Sequence, residues 1–234
     1  MKGPALAVMA RAPVPGRTKT RLQPDLTPEQ SAAISRAFLI DTIDLAVSLP
    51  QYTPFLAFTP RKDRPLFESL TPTGMELIEQ AEGDLGQRMY HLMHDLEKAG
   101  YCPVVIIGTD IPTLQPATLL QALEALKTAD LCLGPARDGG YYLIGARHAD
   151  ERILKDIPWS MADVLKLTIQ RAKEAGLSLT RLEEYSDIDT FADLMQLYSN
   201  IKRLRATPGG RIPLHTEAWL KGLMITQQDS SISA

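Results

Sequence analysis

The segment Val104-Val105-Ile106-Ile107-Gly108-Thr109-Asp110 constrains the fold more than any other part of the chain. An unbroken apolar run has no polar face, so the strand it forms must be covered on both sides, as inside a parallel sheet. The run stops abruptly at Gly108, a small polar residue and a lone carboxylate, Asp110. In open α/β sheets, ligands bind just beyond the carboxyl ends of the strands. A carboxylate there can hold a divalent cation, and the cation can hold a phosphate.

The remaining segments read as strands alternating with helices. Apolar runs predict strands at Ala5–Met9, Pro54–Thr59, Asp130–Gly134, Tyr141–Gly145 and Leu177–Leu182. Thr27-Pro28-Glu29-Gln30 is a capping box with proline at the first helical position, opening a helix that stops at Pro50. Its apolar face also carries Asp41, which reads either as a hydrogen-bonded structural carboxylate or as support for the site. Further helices are predicted from Gly83–Gly86 to near Gly100, over Pro116–Lys127, over Ala162–Ala175 and over Thr190–Asn200, the last capped by Thr190 with Asp193. Such alternation predicts an α/β fold with a mostly parallel sheet and helices on both faces. We expect a single domain over 1–205, followed by a C-terminal appendage, 206–234, with a short helix near Thr216–Leu223 and a mobile polar end at Gln227–Ala234.

Composition removes several classes of function. A net charge of −3 argues against broad binding to nucleic acid or membrane surfaces, so any basic site must be local. Cys102 and Cys132 form no zinc motif and read as reduced thiols, which with the lack of a secretory or membrane segment predicts a cytoplasmic protein. His91 and His94 share a helix face without a third ligand and read as surface residues.

Two constellations can carry chemistry. Directly after the first strand, Arg11, Arg17, Lys19 and Arg21 crowd into one segment hinged at Gly16. Cationic side chains and backbone N–H groups at such a place suit a polyphosphate, although the Walker A spacing is absent. The second is acidic: Asp110, together with Asp187-Ile188-Asp189-Thr190 after the last strand. Mg²⁺ commonly takes one or two carboxylates plus substrate phosphates, and acids at the ends of neighbouring strands can share one ion. An Asp before a helix can also be a plain cap. The turns Gly83-Asp84-Leu85-Gly86 and Asp138-Gly139-Gly140-Tyr141 would let backbone approach a ligand.

Taken together, Val14–Leu22, Gly83–Arg88, Gly108–Pro112, Gly134–Tyr142 and Asp187–Thr190 resemble, in order, the motifs of the bacterial DUF2064 family, over about residues 4–200. That family belongs to the glycosyltransferase-A, or nucleotide-diphospho-sugar transferase, superfamily. The 2-phospholactate guanylyltransferases and molybdenum-cofactor nucleotidyltransferases look like relatives. The resemblance implies a single-domain GT-A-like fold and a transferase dependent on Mg²⁺ or Mn²⁺. Glycosyl transfer from a nucleotide-sugar is the leading expectation; the alternatives are nucleotidyl transfer from an NTP with pyrophosphate release, and a non-catalytic nucleotide-binding module.

Position by position, the resemblance implies catalytic roles for Asp110 and Lys19, and metal ligation by Asp110 and Asp189 with Asp187 as a competitor. Nucleotide and phosphate contacts fall on Ala10, Arg11, Gly16, Arg17, Lys19, Arg21, Asp84, Gly86 and Arg88. A small-molecule acceptor falls at Asp138, Gly139, Gly140, Tyr141 and the Pro158-Trp159-Ser160 segment. One departure weakens sugar transfer: Gly108-Thr109-Asp110 offers a single acid where many glycosyltransferases carry Asp-x-Asp.

Overall fold

The computed structural model describes residues 2–159 and 161–232, with side chains described as far as Ile225. Seven strands form one sheet: β1 (Gly3–Arg11), β2 (Thr53–Thr59), β3 (Glu76–Glu79), β4 (Tyr101–Ile107), β5 (Leu131–Pro135), β6 (Tyr141–Ala146) and β7 (Leu179–Arg181). Their order is β3-β2-β1-β4-β6-β5-β7, and β6 alone among them runs antiparallel to its neighbours. The helices are α1 (Pro28–Val47), α2 (Arg64–Leu70), α3 (Leu85–Lys98), α4 (Pro116–Ala125), α5 (Val164–Glu174), α6 (Phe191–Ala206) and α7 (Leu214–Ile232).

The mostly parallel α/β sheet is as expected, and the reason lies in strand pleating. Successive side chains point to opposite faces, so Leu6 and Val8 of β1 join one core layer while Ala5 and Ala7 join the other. Val105 and Ile107 of β4 likewise separate from Val104 and Ile106. Leu39, Ile43 and Ala46 of α1, Phe67 of α2 and Leu119 of α4 cover the first face. Met89, Leu92 and Met93 of α3 and Ala172 of α5 cover the second.

A third buried cluster joins the C-terminal segment to the rest. Ile34 and Phe38 of α1 meet Leu194, Leu197 and Ile201 of α6 and Leu220 and Leu223 of α7. Asp41 belongs to this junction: its carboxylate accepts hydrogen bonds from the backbone N–H groups of His215 (3.1 Å) and Thr216 (2.8 Å) and from the Thr216 hydroxyl (2.6 Å). It therefore satisfies orphan donors at the start of α7, the structural alternative of the two. The expected short helix is longer, because α7 gains a packed face on α1 and α6; the polar end at 227–234 lies outside the residues whose side chains are described.

The expected capping boxes form at both Thr27/Gln30 and Thr190/Asp193. Strand β3 and helix α2 are unanticipated, at four and seven residues too short to show a period. Among the described residues no helix is long and apolar enough to cross a membrane, and both cysteines are free thiols.

Candidate active site

Because β1, β2, β4, β5 and β7 run in one direction, their carboxyl ends share one edge, and β6 begins there. The loop after β1, Asp110 after β4, the β5–β6 turn and the 187–189 segment after β7 therefore meet. Asp187–Asp189 is stitched to the β4 exit by a backbone bond from Ile188 N–H to the Asp110 carbonyl (3.1 Å).

Lys19 sits at the centre of this edge. Its ammonium donates to the Ile188 carbonyl (2.5 Å) and to Asp189 Oδ1 (3.0 Å), and lies 2.8 Å from Asp110 Oδ1. The side chain is 7% exposed, against 51% for Asp110 and 30% for Asp189. Burial opposes its charge, but the adjacent Asp110 and Asp189 carboxylates outweigh burial and raise the Lys19 pKa above its ordinary value. Arg21, on the open side, holds the second oxygen of Asp189 at 3.1 Å. Asp189 is not the helix cap: Thr190 caps α6, and Asp193 receives the Asp189 and Thr190 N–H groups, leaving the Asp189 carboxylate to the site.

Asp187 is short of counter-charge. Desolvation, then the charges of Asp138 and Asp189, push its carboxyl up to about 6. Asp138 in the β5–β6 turn thus belongs electrostatically to the same rim, with its own Oδ1 accepting from Gly140 N–H (2.8 Å). Ligand atoms of three acids or histidines within 4.8 Å of one another occur, among the described residues, at Asp41, Asp44 and His215, not at this rim. Two of the Asp41–Asp44–His215 group are exposed, and the Asp41 oxygens are already used by α7. At the rim, Asp110 and Asp189 converge on one cation-sized point, the position now held by the lysine ammonium.

Beside the rim lies a cleft of about 480 Å³, bounded by Ala10, Arg11, Arg17, Thr59, Asp63, Gln80, Gly83 and Arg88, among others. Four of the expected nucleotide contacts (Ala10, Arg11, Arg17 and Arg88) thus face one space, while Lys19 and Arg21 engage the acids instead. Gly16 is exposed in the loop at φ +74°, where a side chain would be strained. Asp84 is the N-cap of α3, its carboxylate accepting from Gln87 N–H (2.9 Å).

Gly86 differs from expectation. It is buried, and a Cβ there would meet the Leu154 carbonyl at 2.3 Å and the Trp159 ring at 2.6 Å, so its smallness serves packing rather than ligand contact. Trp159 is half-buried over Gly86, with its ring edge-on to Tyr141 at 6.4 Å. Gly139, at φ +91°, lies beneath the Ala162 carbonyl, so the backbone at Ala162 packs over the Asp138–Tyr141 turn. Ser160 lies outside the described residues.

Two cleft residues escaped sequence reasoning. Gln80 is buried, donating to the Ala10 and Ala57 carbonyls (3.2 and 2.7 Å) and accepting from Arg88 Nη1 (3.2 Å), which holds that guanidinium at the cleft floor. Asp63 Oδ2 is buried without a hydrogen-bond partner among the described residues. For Gln80 the one available signal, two polar residues after the apolar pair Leu77-Ile78, was hidden by the brevity of β3.

Residues 42–161 match the family described as "Uncharacterized protein conserved in bacteria (DUF2064)". A crystal structure from Desulfovibrio desulfuricans G20, described provisionally as a nucleotide-diphospho-sugar transferase, is 31% identical, with a TM-score of 0.85 over 95% of each chain. The 2-phospho-L-lactate guanylyltransferase of Natrialba magadii is 25% identical over 203 residues, 82% of this chain and 83% of that protein. A nucleotidyl transferase from Methanothermobacter thermautotroptrophicus shares the fold at a TM-score of 0.57 and 15% identity, over 87% of this chain and 99% of that one.

Proposed function

The chain belongs to the DUF2064 family, and on that premise we propose that it is a nucleotidyltransferase, joining a nucleoside triphosphate to a small phosphorylated or hydroxyl acceptor. The observation that carries this reading is the meeting of Lys19, Asp110 and Asp189 beside an arginine-bearing cleft. Guanylyltransferase relatives support it over the leading expectation of sugar transfer, as does the lone acid in Gly108-Thr109-Asp110.

In this reaction an acceptor oxygen attacks the α-phosphorus, the bond from that phosphorus to the α–β bridging oxygen breaks, and pyrophosphate leaves. Arg11, Arg17 and Arg88 suit the nucleotide, because guanidinium groups pair with phosphate oxygens and with base acceptors. The turn at Asp138–Tyr141, with Ala162 over Gly139 and Trp159 edge-on to Tyr141, would orient the acceptor next to Asp187.

A divalent cation fits the donor set. Asp110, Asp138, Asp187 and Asp189 outnumber the nearby Lys19 and Arg21, and Asp187 is left with a raised pKa. Asp110 and Asp189 would hold the ion, with Asp187 within reach of the same rim. Bound there, it would neutralise charge developing on the phosphates.

Phosphorus NMR on the protein with Mg²⁺, GTP and a panel of phosphorylated and hydroxy acids tests the reading. Pyrophosphate release that depends on acceptor supports it. Nucleoside diphosphate release from nucleotide-sugars would instead establish sugar transfer, and calorimetric nucleotide binding with no product from either panel would mark a binding module.

A further inference from the structure

An ammonium has three hydrogens to donate, and those of Lys19 are all committed: to Asp110, to Asp189 and to the Ile188 carbonyl. The residue expected to meet a phosphate therefore has no donor left for one. The same contacts hold Asp110 Oδ1 and Asp189 Oδ1, so the acids expected to meet a cation are engaged as well. Lys19 reaches them from a backbone at φ 46° and ψ 45°, the left-handed region that a side chain other than glycine rarely adopts.

We propose that Lys19 is an exchangeable counter-ion that reserves the acidic rim for a divalent cation arriving together with a nucleotide. The proposal rests on the nucleotidyltransferase reading above and concerns how its ligands enter. A cation alone would have to displace a nearly buried ammonium and leave that charge without partners, which is costly. A nucleotide alone would bring phosphates against half-exposed Asp110 while Lys19 stays engaged. The cation–nucleotide complex removes both obstacles: the cation replaces the ammonium between the carboxylates, and the phosphates accept the released ammonium. Each ligand then raises the affinity for the other by the same factor. Arg21 keeps Asp189 in place from the solvent side throughout the exchange.

Electron paramagnetic resonance of free Mn²⁺ titrated into the full chain reads this out without turnover. Nucleotide-free wild type is expected to bind Mn²⁺ weakly. Lys19→Gln is expected to bind it at least tenfold more tightly, Lys19→Arg to stay near wild type, and Lys19→Gln combined with Asp110→Asn to lose the gain. In the presence of GTP, with the Mn²⁺–GTP background subtracted, wild type gains affinity and Lys19→Gln gains much less. Melting curves establish that each variant is folded. A Lys19→Gln protein that is folded and binds Mn²⁺ no better than wild type overturns the proposal, while GTP-dependent Mn²⁺ uptake by wild type would keep the metal reading. No Mn²⁺ uptake by any variant, with or without GTP, overturns both.

Discussion

Single side chains set the properties of the site. Asp110 could be singled out because it follows closely on a strand with no polar face, at the sheet edge where α/β folds bind their ligands. Lys19 could be placed in a cationic loop, but its three acceptors come from residues 91 to 170 positions away and follow no sequence pattern. The Arg88 guanidinium is fixed beside the cleft more firmly than its place on the first turn of α3 implies, because Gln80 accepts from it. Arg88→Ala should therefore weaken binding of nucleoside triphosphate by ~10-fold or more, matching the ~1.5–3 kcal/mol of a hydrogen bond to a charged group. Calorimetric titration checks this, and unchanged affinity would remove Arg88 from the site. Gly86→Ala should act differently. With backbone at 2.3 Å from the added carbon, the overpacking should cost ~1–3 kcal/mol, seen as a melting temperature lower by roughly 2–4 °C per kcal/mol. If the melt is unmoved, Trp159 does not pack there as described.

At the scale of elements, capping signals were the most legible, since a box is read within four consecutive residues: those at Thr27 and Thr190 both form, and among the described residues Asp84 and Gln87 make a third that was not anticipated. The pairing of α6 with α7 was not. Glu217, 8% exposed on α7, accepts from Arg205 of α6 through Nη2 (2.5 Å) and Nε (3.2 Å), with Lys221 at 3.2 Å. Burial works against the carboxylate, but the Arg205 and Lys221 bonds prevail and hold its pKa below the ordinary value. A depressed acid contributes stability above its unfolded pKa and loses it as pH falls through the folded one. Glu217→Gln should thus lower the melting temperature at pH 7, and the deficit should shrink as the pH is taken below about 4. A deficit equal at pH 7 and pH 3 would mean that the clamp works by shape and not by charge.

The molecule as a whole treats its C-terminal segment as more than an appendage. The Arg211 N–H donates to Gln115 Oε1 (2.8 Å) and its carbonyl accepts from Gln115 Nε2 (3.1 Å), while its guanidinium donates to the Pro112 carbonyl (3.1 Å) and to the Asp41 carbonyl, tying the segment to the loop that leaves Asp110. Leu220 and Leu223 fill the cluster around Phe38, at ~1.5–3 kcal/mol for each buried side chain. Removing residues 207–234 should therefore lower the melting temperature by more than about 5 °C and expose dye-binding apolar surface; a truncated protein that melts like the full chain would contradict this packing. The sequence by itself determined the class of fold and the sheet edge to which the cationic loop and the acids belong, because pleat period, capping and strand-end signals are local. The tertiary structure alone decided that Lys19 stands between Asp110 and Asp189, that Gln80 aims Arg88, and that α7 closes the core. Those are contacts between distant parts of the chain, and their geometry depends on how the layers pack rather than on any short run of residues.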